Sequence, residues 1–216
     1  MRILVIAPHP DDEVLGCGGM IAKRASEGHQ IYVHIVTKAR PPLYSNRYAE
    51  AEAVETQKAA DALGVMEWTQ GDFASAMLDT YPQYQVCERL SLEIDRIEPD
   101  EAYIPHWGDA HRDHRIVSEA AMVAVRPKGR HMKVYAYEVL SETGWSVPAQ
   151  HNEFIPNRYL DIGEHINTKV LAMTQYGSQA TPLRSPEAIE TLARCRGAAV
   201  GLQYAEAYEV VREVAE

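Results

Sequence analysis

Apolar positions fall into short continuous runs separated by stretches of helical spacing, and the two alternate from the N-terminus to about residue 139. Residues 3–7 (Ile-Leu-Val-Ile-Ala) form an uninterrupted run of the kind a parallel strand buried on both faces requires, and Pro8-His9-Pro10 ends it. Asp11, Asp12 and Glu13 place acids where a helix N-terminus favours them, and residues 14–25 predict a helix closed at Gly28. Residues 30–37 alternate and are rich in β-branched side chains, a second strand that completes a βαβ unit. The rhythm repeats as a helix over 50–63 capped at Gly64, a strand over 65–69, and a helix carrying Val86, Leu90, Ile94 and Ile97. A strand over 101–104, a helix over 116–125 and a strand over 133–139 follow. This alternation predicts an α/β fold, a single Rossmann-like domain over 1–216 whose mostly parallel sheet is covered by helices on both faces. Beyond 139 the pattern loosens around Gly144, Pro148 and Pro156, with one further helix over 165–176.

Composition narrows the function. The 216 residues, 46% hydrophobic and 24% charged, suit one domain with a sizeable core and exclude disorder and coiled coil. Lys and Arg total 21 against 31 Asp and Glu, a net charge of -10 that argues against nucleic acid and anionic membrane surfaces. Cys17, Cys87 and Cys195 are odd in number and form no CxxC pair, so a disulfide framework and a thiolate zinc site are not expected and a reducing cytoplasm is. No apolar run approaches the roughly 18 residues of a membrane span. The N-terminus enters a strand directly without a secretory pattern, so stable membrane insertion is not expected and the localisation expected is cytoplasmic.

Chemistry concentrates at two predicted strand ends, where ligands bind in open α/β sheets. One cluster is His9-Pro10-Asp11-Asp12-Glu13; the other runs from His106 through Asp109 and His111-Arg112-Asp113-His114. Taken singly, the first reads equally as a turn whose Asp11 or Asp12 caps a helix, and the second as a polar loop. Together they supply the mixed His and Asp ligands of a catalytic zinc site, with a spare carboxylate to act as base. No GxSxG, HExxH or GxxxxGK[ST] motif competes, and Gly16, Gly18 and Gly19 lie inside the predicted helix instead of in a dinucleotide-binding turn.

With these residues in view, the chain resembles the LmbE-like/PIG-L family of zinc-dependent N-acetylglucosamine de-N-acetylases. The resemblance lies in residues 3–19, in His111-Arg112-Asp113-His114, in 157–162, in 169–179 and in Ala205-Glu206-Ala207-Tyr208, and so spans essentially the whole chain. It implies zinc ligands His9, Asp12 and His114, with Asp11 as general base. It further implies His111 polarising the amide oxygen or stabilising the oxyanion, and Asp113 orienting a histidine. His106 is read as a structural, loop-shaping residue, and the role of Asp109 stays open. The implied activity is zinc-dependent removal of acetyl from an N-acetylglucosamine-type sugar conjugate, giving acetate and an amino sugar, with Asp11 or His111 returning the proton to the amine. The implied partners are a small-molecule sugar conjugate and further copies of the chain in a trimer or hexamer. A metal-dependent amidase acting on a thiol conjugate and a non-catalytic sugar-binding protein are the alternatives.

Two departures from the family pattern bear on substrate: Ala110 and Glu52 stand where relatives often carry arginine, which clamps hydroxyls or phosphate. Arg47 or Arg115 is the candidate to compensate, and a neutral or modestly charged conjugate is expected. Trp107 and Trp145 read either as sugar-stacking or as packing residues. Tyr176 and Gln179 read either as site contacts or as helix packing, and residues 38–46 as a lid or a surface connection.

Overall fold

The computed structural model describes residues 1–129 and 131–214. In chain order the elements are β1 (Arg2–Ala7), α1 (Asp12–Ser26), β2 (Gln30–Lys38), α2 (Asn46–Leu63), β3 (Glu67–Ala74), α3 (Gln83–Ile97) and β4 (Glu101–Pro105). They continue with α4 (Arg112–Ala124), β5 (Lys133–Tyr137), β6 (Arg158–Asp161), α5 (Ile166–Thr174), α6 (Pro186–Ala198) and β7 (Ala205–Arg212). One seven-stranded sheet runs β3-β2-β1-β4-β5-β7-β6, parallel through its first five strands, with β7 antiparallel to both neighbours. The expected α/β class, with a mostly parallel sheet between helices, is the one observed.

The run at 3–7 is apolar throughout because both faces are covered. Ile3, Val5 and Ala7 join one buried cluster with Leu15 and Ile21 of α1, Leu63 of α2, Met173 of α5 and Ile189 of α6. Leu4 and Ile6 join the other with Leu90 of α3 and Val117 of α4. The glycines of α1 serve the first of these layers: a Cβ on Gly16 would lie 2.2 Å from the Tyr137 ring, so only glycine lets the helix sit this close to the sheet.

Two boundaries differ from the expectation in ways that matter. β3 starts at Glu67 and runs on to Ala74, and α4 starts at Arg112, so the second motif forms a helix N-terminus instead of a loop. From β1 the chain adds β2 and β3 on one side and then β4 and β5 on the other. The carboxyl ends of β1 and β4 therefore flank the switch point of the sheet, where a crevice opens.

Candidate active site

Residues from both strand ends meet in that crevice. His9 follows β1, Asp12 opens α1, and His114 lies in the first turn of α4. Asp12 Oδ2 is 3.3 Å from His9 Nδ1 and 3.2 Å from His114 Nε2, and the two ring nitrogens are 3.2 Å apart. A tetrahedral ion with bonds of about 2.0–2.1 Å separates its ligand atoms by about 3.3–3.4 Å, so the triangle matches one face of a zinc site in size and in donor type. His9, His111 and His114 also bring ring nitrogens within 4.8 Å of one another. Asp12 Oδ2 offers the 3.2–3.3 Å set with His9 and His114, while His111 has one ring nitrogen, Nδ1, engaged with the Asp113 N–H.

The orientation of each imidazole has a visible cause. Asp113 Oδ2 accepts the Nε2–H of His9 at 3.0 Å, and Asp109 Oδ2 accepts the Nδ1–H of His114 at 2.8 Å. Each carboxylate fixes the tautomer that leaves the other nitrogen bare and facing the shared point. Asp113 is itself anchored by the N–H groups of Ala76 at 2.7 Å and Leu78 at 3.1 Å; Asp109 is anchored by Thr143 Oγ1 at 2.6 Å. Burial works against charge here, yet the carboxylates outweigh it and raise His9 to about 9 and His114 to about 10. Without an ion the site therefore holds protons: it is built to attract positive charge.

Asp11 occupies the N-cap position of α1 without capping it. Its backbone is left-handed (φ 97°, ψ -26°), an uncommon conformation for a residue with a side chain, held because its carbonyl accepts from Val14 and Leu15 and its N–H donates to Glu13 Oε2. The turn leaves the carboxylate free for the pocket, where Oδ2 meets Arg184 at 2.7 Å. Burial, followed by repulsion from Asp12, pushes Asp11 well above the ordinary carboxylate range, and Arg184 offsets only part of this. Glu13 lies beneath it, pushed up to about 7 by burial, and accepts Tyr176 O–H at 2.6 Å. Tyr176 thus supports the site from below.

His111 caps α4, its Nδ1 accepting the Asp113 N–H at 3.1 Å. With Nδ1 an acceptor, the neutral ring carries its proton on Nε2 as a donor. Burial, helped by His9 and His114, lowers His111 to about 4, so the ring is neutral at physiological pH.

A 180 Å³ cavity joins these groups, lined also by Tyr44, Tyr48, Glu52, Glu142, Gln179 and Arg184. Several expectations are redirected. Arg47 and Arg112 are not among the residues lining it, and Arg115 turns to the Asp109 carbonyl and Ser146, so the arginine of the pocket is Arg184, which no motif had marked. Trp107 and Trp145 are exposed outside the cavity; the aromatic wall is Tyr44 and Tyr48, stacked 5.2 Å apart. His106 is buried between Glu209 and the Asn152 carbonyl, away from the cavity. Gln179 reaches the cavity, its Nε2 donating to the Tyr48 hydroxyl oxygen and its Oε1 accepting from Arg184.

Fold and site together define an α/β protein with a buried His–Asp centre at the switch point of its sheet. The chain belongs to the PIG-L family, described as GlcNAc-PI de-N-acetylase, whose model matches residues 4–125. It is 28% identical to the uncharacterized deacetylase YaiS of Escherichia coli K12, over 79% of this chain and 86% of that one. It is 27% identical to 2'-N-acetylparomamine deacetylase of Streptomyces fradiae, over 82% and 73% respectively. Among solved structures, the conserved protein TT1542 of Thermus thermophilus superposes with a TM-score of 0.80 at 27% identity, covering 99% of this chain and 96% of the other. A hydratase, GalB of Pseudomonas putida, shares the fold at a TM-score of 0.80 and 20% identity, covering 100% and 98%. The fold alone thus leaves the reaction to be argued from the site.

Proposed function

We propose that this protein is a zinc-dependent hydrolase that removes the acetyl group from an N-acetylglucosamine-type sugar conjugate, releasing acetate and an amino sugar. The observation that carries this reading is the 3.2–3.3 Å triangle of His9, Asp12 and His114 with Asp11 and His111 in the same cavity. When bound there, zinc supplies a Lewis acid that acidifies water to a pKa of about 7 and polarises a carbonyl. Deacetylase relatives at 27–28% identity support the acetamide as the bond attacked.

The roles of the side chains follow from their states. Asp11, raised by burial and held by Arg184, takes one proton from the attacking water at its carboxylate. His111 donates its Nε2–H to the acetamide oxygen as negative charge develops on it. The water oxygen bonds to the carbonyl carbon, the carbon–nitrogen bond breaks, and the proton held by Asp11 passes to the departing nitrogen. His111 is a poorer source of that proton because, with its pKa near 4, it has only the Nε2–H to give. Asp113 and Asp109 keep the two imidazoles aimed.

The reading extends to the whole chain as one domain, since a single sheet holds all seven strands of the described residues. A cytoplasmic location is consistent with three free cysteines; no helix of the described residues is long and apolar enough to cross a membrane. Exposed Leu171 and Leu183, adjacent in sequence to residues lining an apolar cavity between α5 and the start of α6, support a homo-oligomer, and a trimer or hexamer is what the family resemblance implies. The test is acetate release from N-acetylglucosamine conjugates by the metal-loaded protein, abolished by a chelator and restored by zinc. Release that is insensitive to chelation, or no acetate from any acetamido sugar, refutes the proposal.

A further inference from the structure

The cavity that holds the ligand set has an unbalanced charge. Four carboxylates line it, those of Asp11, Asp12, Glu52 and Glu142, and once the ligand imidazoles are neutral, as binding an ion requires, Arg184 is the one cation among the lining residues. Asp12 faces His9 and His114, and Asp11 takes Arg184 at 2.7 Å. The other two acids have little to hold. Glu52 is 3% exposed, and among the described residues its oxygens meet only the Ala39 N–H at 3.3 Å and the Gln179 amide at 3.5 Å, both neutral and long. Glu142, half-buried in the loop after β5, has no side-chain hydrogen bond or ion pair among the described residues. Basic residues of the adjoining segments are engaged elsewhere: Lys38 and Arg40 pair with Asp72, and Arg115 turns to Asp109 and Ser146.

With a divalent ion at Asp12 and Arg184 on Asp11, Glu52 and Glu142 would be left without a cation of their own, and burial pushes both upward. A buried carboxylate without a cation is costly, and an ammonium carried by the substrate removes that cost. A phosphate would add charge of the wrong sign. We infer that Glu52 selects an acetylated sugar whose conjugate carries a second, free amine, held as an ammonium by Glu52 with Glu142 as the further carboxylate. The inference rests on the deacetylase reading of this cavity and specifies its substrate class. Tyr44 and Tyr48 offer the sugar ring an aromatic wall in the same cavity.

Two readouts on the zinc-loaded full chain test it and separate its failure from that of the deacetylase reading. Calorimetric binding at about pH 6.5, where an amine is protonated, compares chitobiose with its two free amines, N-acetylglucosamine, and N-acetylglucosamine 1-phosphate. Acetate release compares monoacetylated chitobiose with the same two acetamides. The amine-bearing sugars should bind and turn over about 10–100-fold better than the neutral one, with the phosphate worst. Glu52→Gln should remove most of that advantage and Glu52→Arg should reverse the order of ammonium and phosphate, while Arg47→Gln, outside the cavity, keeps the wild-type order. An amine-bearing sugar that binds no better than the neutral one, or a preference that survives both Glu52→Gln and Glu142→Gln, overturns the inference even if acetate is released. Selective, Glu52-dependent binding without acetate from any sugar upholds it and overturns the deacetylase reading instead.

Discussion

Replacing Asp113 with Asn tests the part played by the partners of the ligands, because the change keeps shape while removing charge and one acceptor. Oδ2 of Asp113 accepts from both His9 Nε2 and Ala76 N, and Oδ1 accepts from Leu78 N. An amide oriented with its oxygen toward His9 and Ala76 turns its NH₂ against the Leu78 N–H, leaving a buried donor unpaired at about 1–3 kcal/mol. The opposite orientation is worse, since two donors then face the NH₂ group. If His9 turns its bare nitrogen to that group, Nδ1 acquires the proton and points it at the place where the ion would bind. In either orientation His9 loses its carboxylate partner, which is typically worth 10–100-fold in metal affinity, or about 1.4–2.7 kcal/mol. A chain of this size shifts its melting point by about 2–4 °C per kcal/mol, so the metal-free variant should melt about 2–12 °C lower. Zinc affinity is measured by competition with a chromophoric chelator, and stability by thermal unfolding of the metal-free protein. A variant that binds zinc within about twofold of wild type would show that His9 is aimed by something other than Asp113, and the account of imidazole orientation would be abandoned.

Asp11→Asn should keep zinc and lose about 10²–10⁴-fold in turnover, whereas Asp12→Asn should lose zinc itself; equal metal content and equal activity in the two variants would dissolve the division of labour between adjacent acids. His34 provides a pH test away from the site. It is fully buried in β2 with Nδ1 on Thr69 Oγ1 at 2.8 Å and Nε2 without a partner among the described residues, and burial, with Arg89 and Arg96, lowers it to about 3. The folded ring stays neutral while the unfolded ring gains a proton below about pH 6.5, so its contribution is complete above that pH and declines toward pH 3. The stability difference between wild type and His34→Asn should change by about 1.4 kcal/mol per pH unit between about pH 6 and 4 in denaturant titrations, and parallel curves would refute the assignment.

How much of this was legible in the sequence depends on how local each cause is. β1, α1 and β2 were readable because Ile3 and Leu4 serve opposite faces of the sheet and the acids of 11–13 sit at a helix start. The strand ends also advertised the two His–Asp clusters, whose chemistry is distinctive even though Asp12 and His114 lie 102 positions apart, while the choice of His9, Asp12 and His114 within them came from the family resemblance. β7 was hidden because Glu206 and Glu209 are buried, which spoils the alternation that marks a strand. Glu206 accepts from Gly19 N, Met20 N and Lys169 Nζ, a set of partners drawn from two distant helices. Arg184 reaches Asp11 across 173 positions from a stretch of short turns, and no periodicity links them. α6 did leave a local signal, Ser185 before Pro186, where the serine hydroxyl accepts the Ala188 N–H.

The double attachment of Asp113 also bears on how such a protein can be remodelled. One carboxylate fastens the loop after β3, at Ala76 and Leu78, to the imidazole of His9, and Asp109 likewise ties Thr143 to His114. A change of length in either loop would travel through a single side chain into the two imidazoles proposed to hold the metal. Residues 41–45 carry no hydrogen bond to those ligands or to their carboxylate partners among the described residues, although Tyr44 faces the cavity. Loop grafts aimed at a new conjugate therefore belong between β2 and α2, where the rim can be rewritten while the geometry of the reaction centre is left standing.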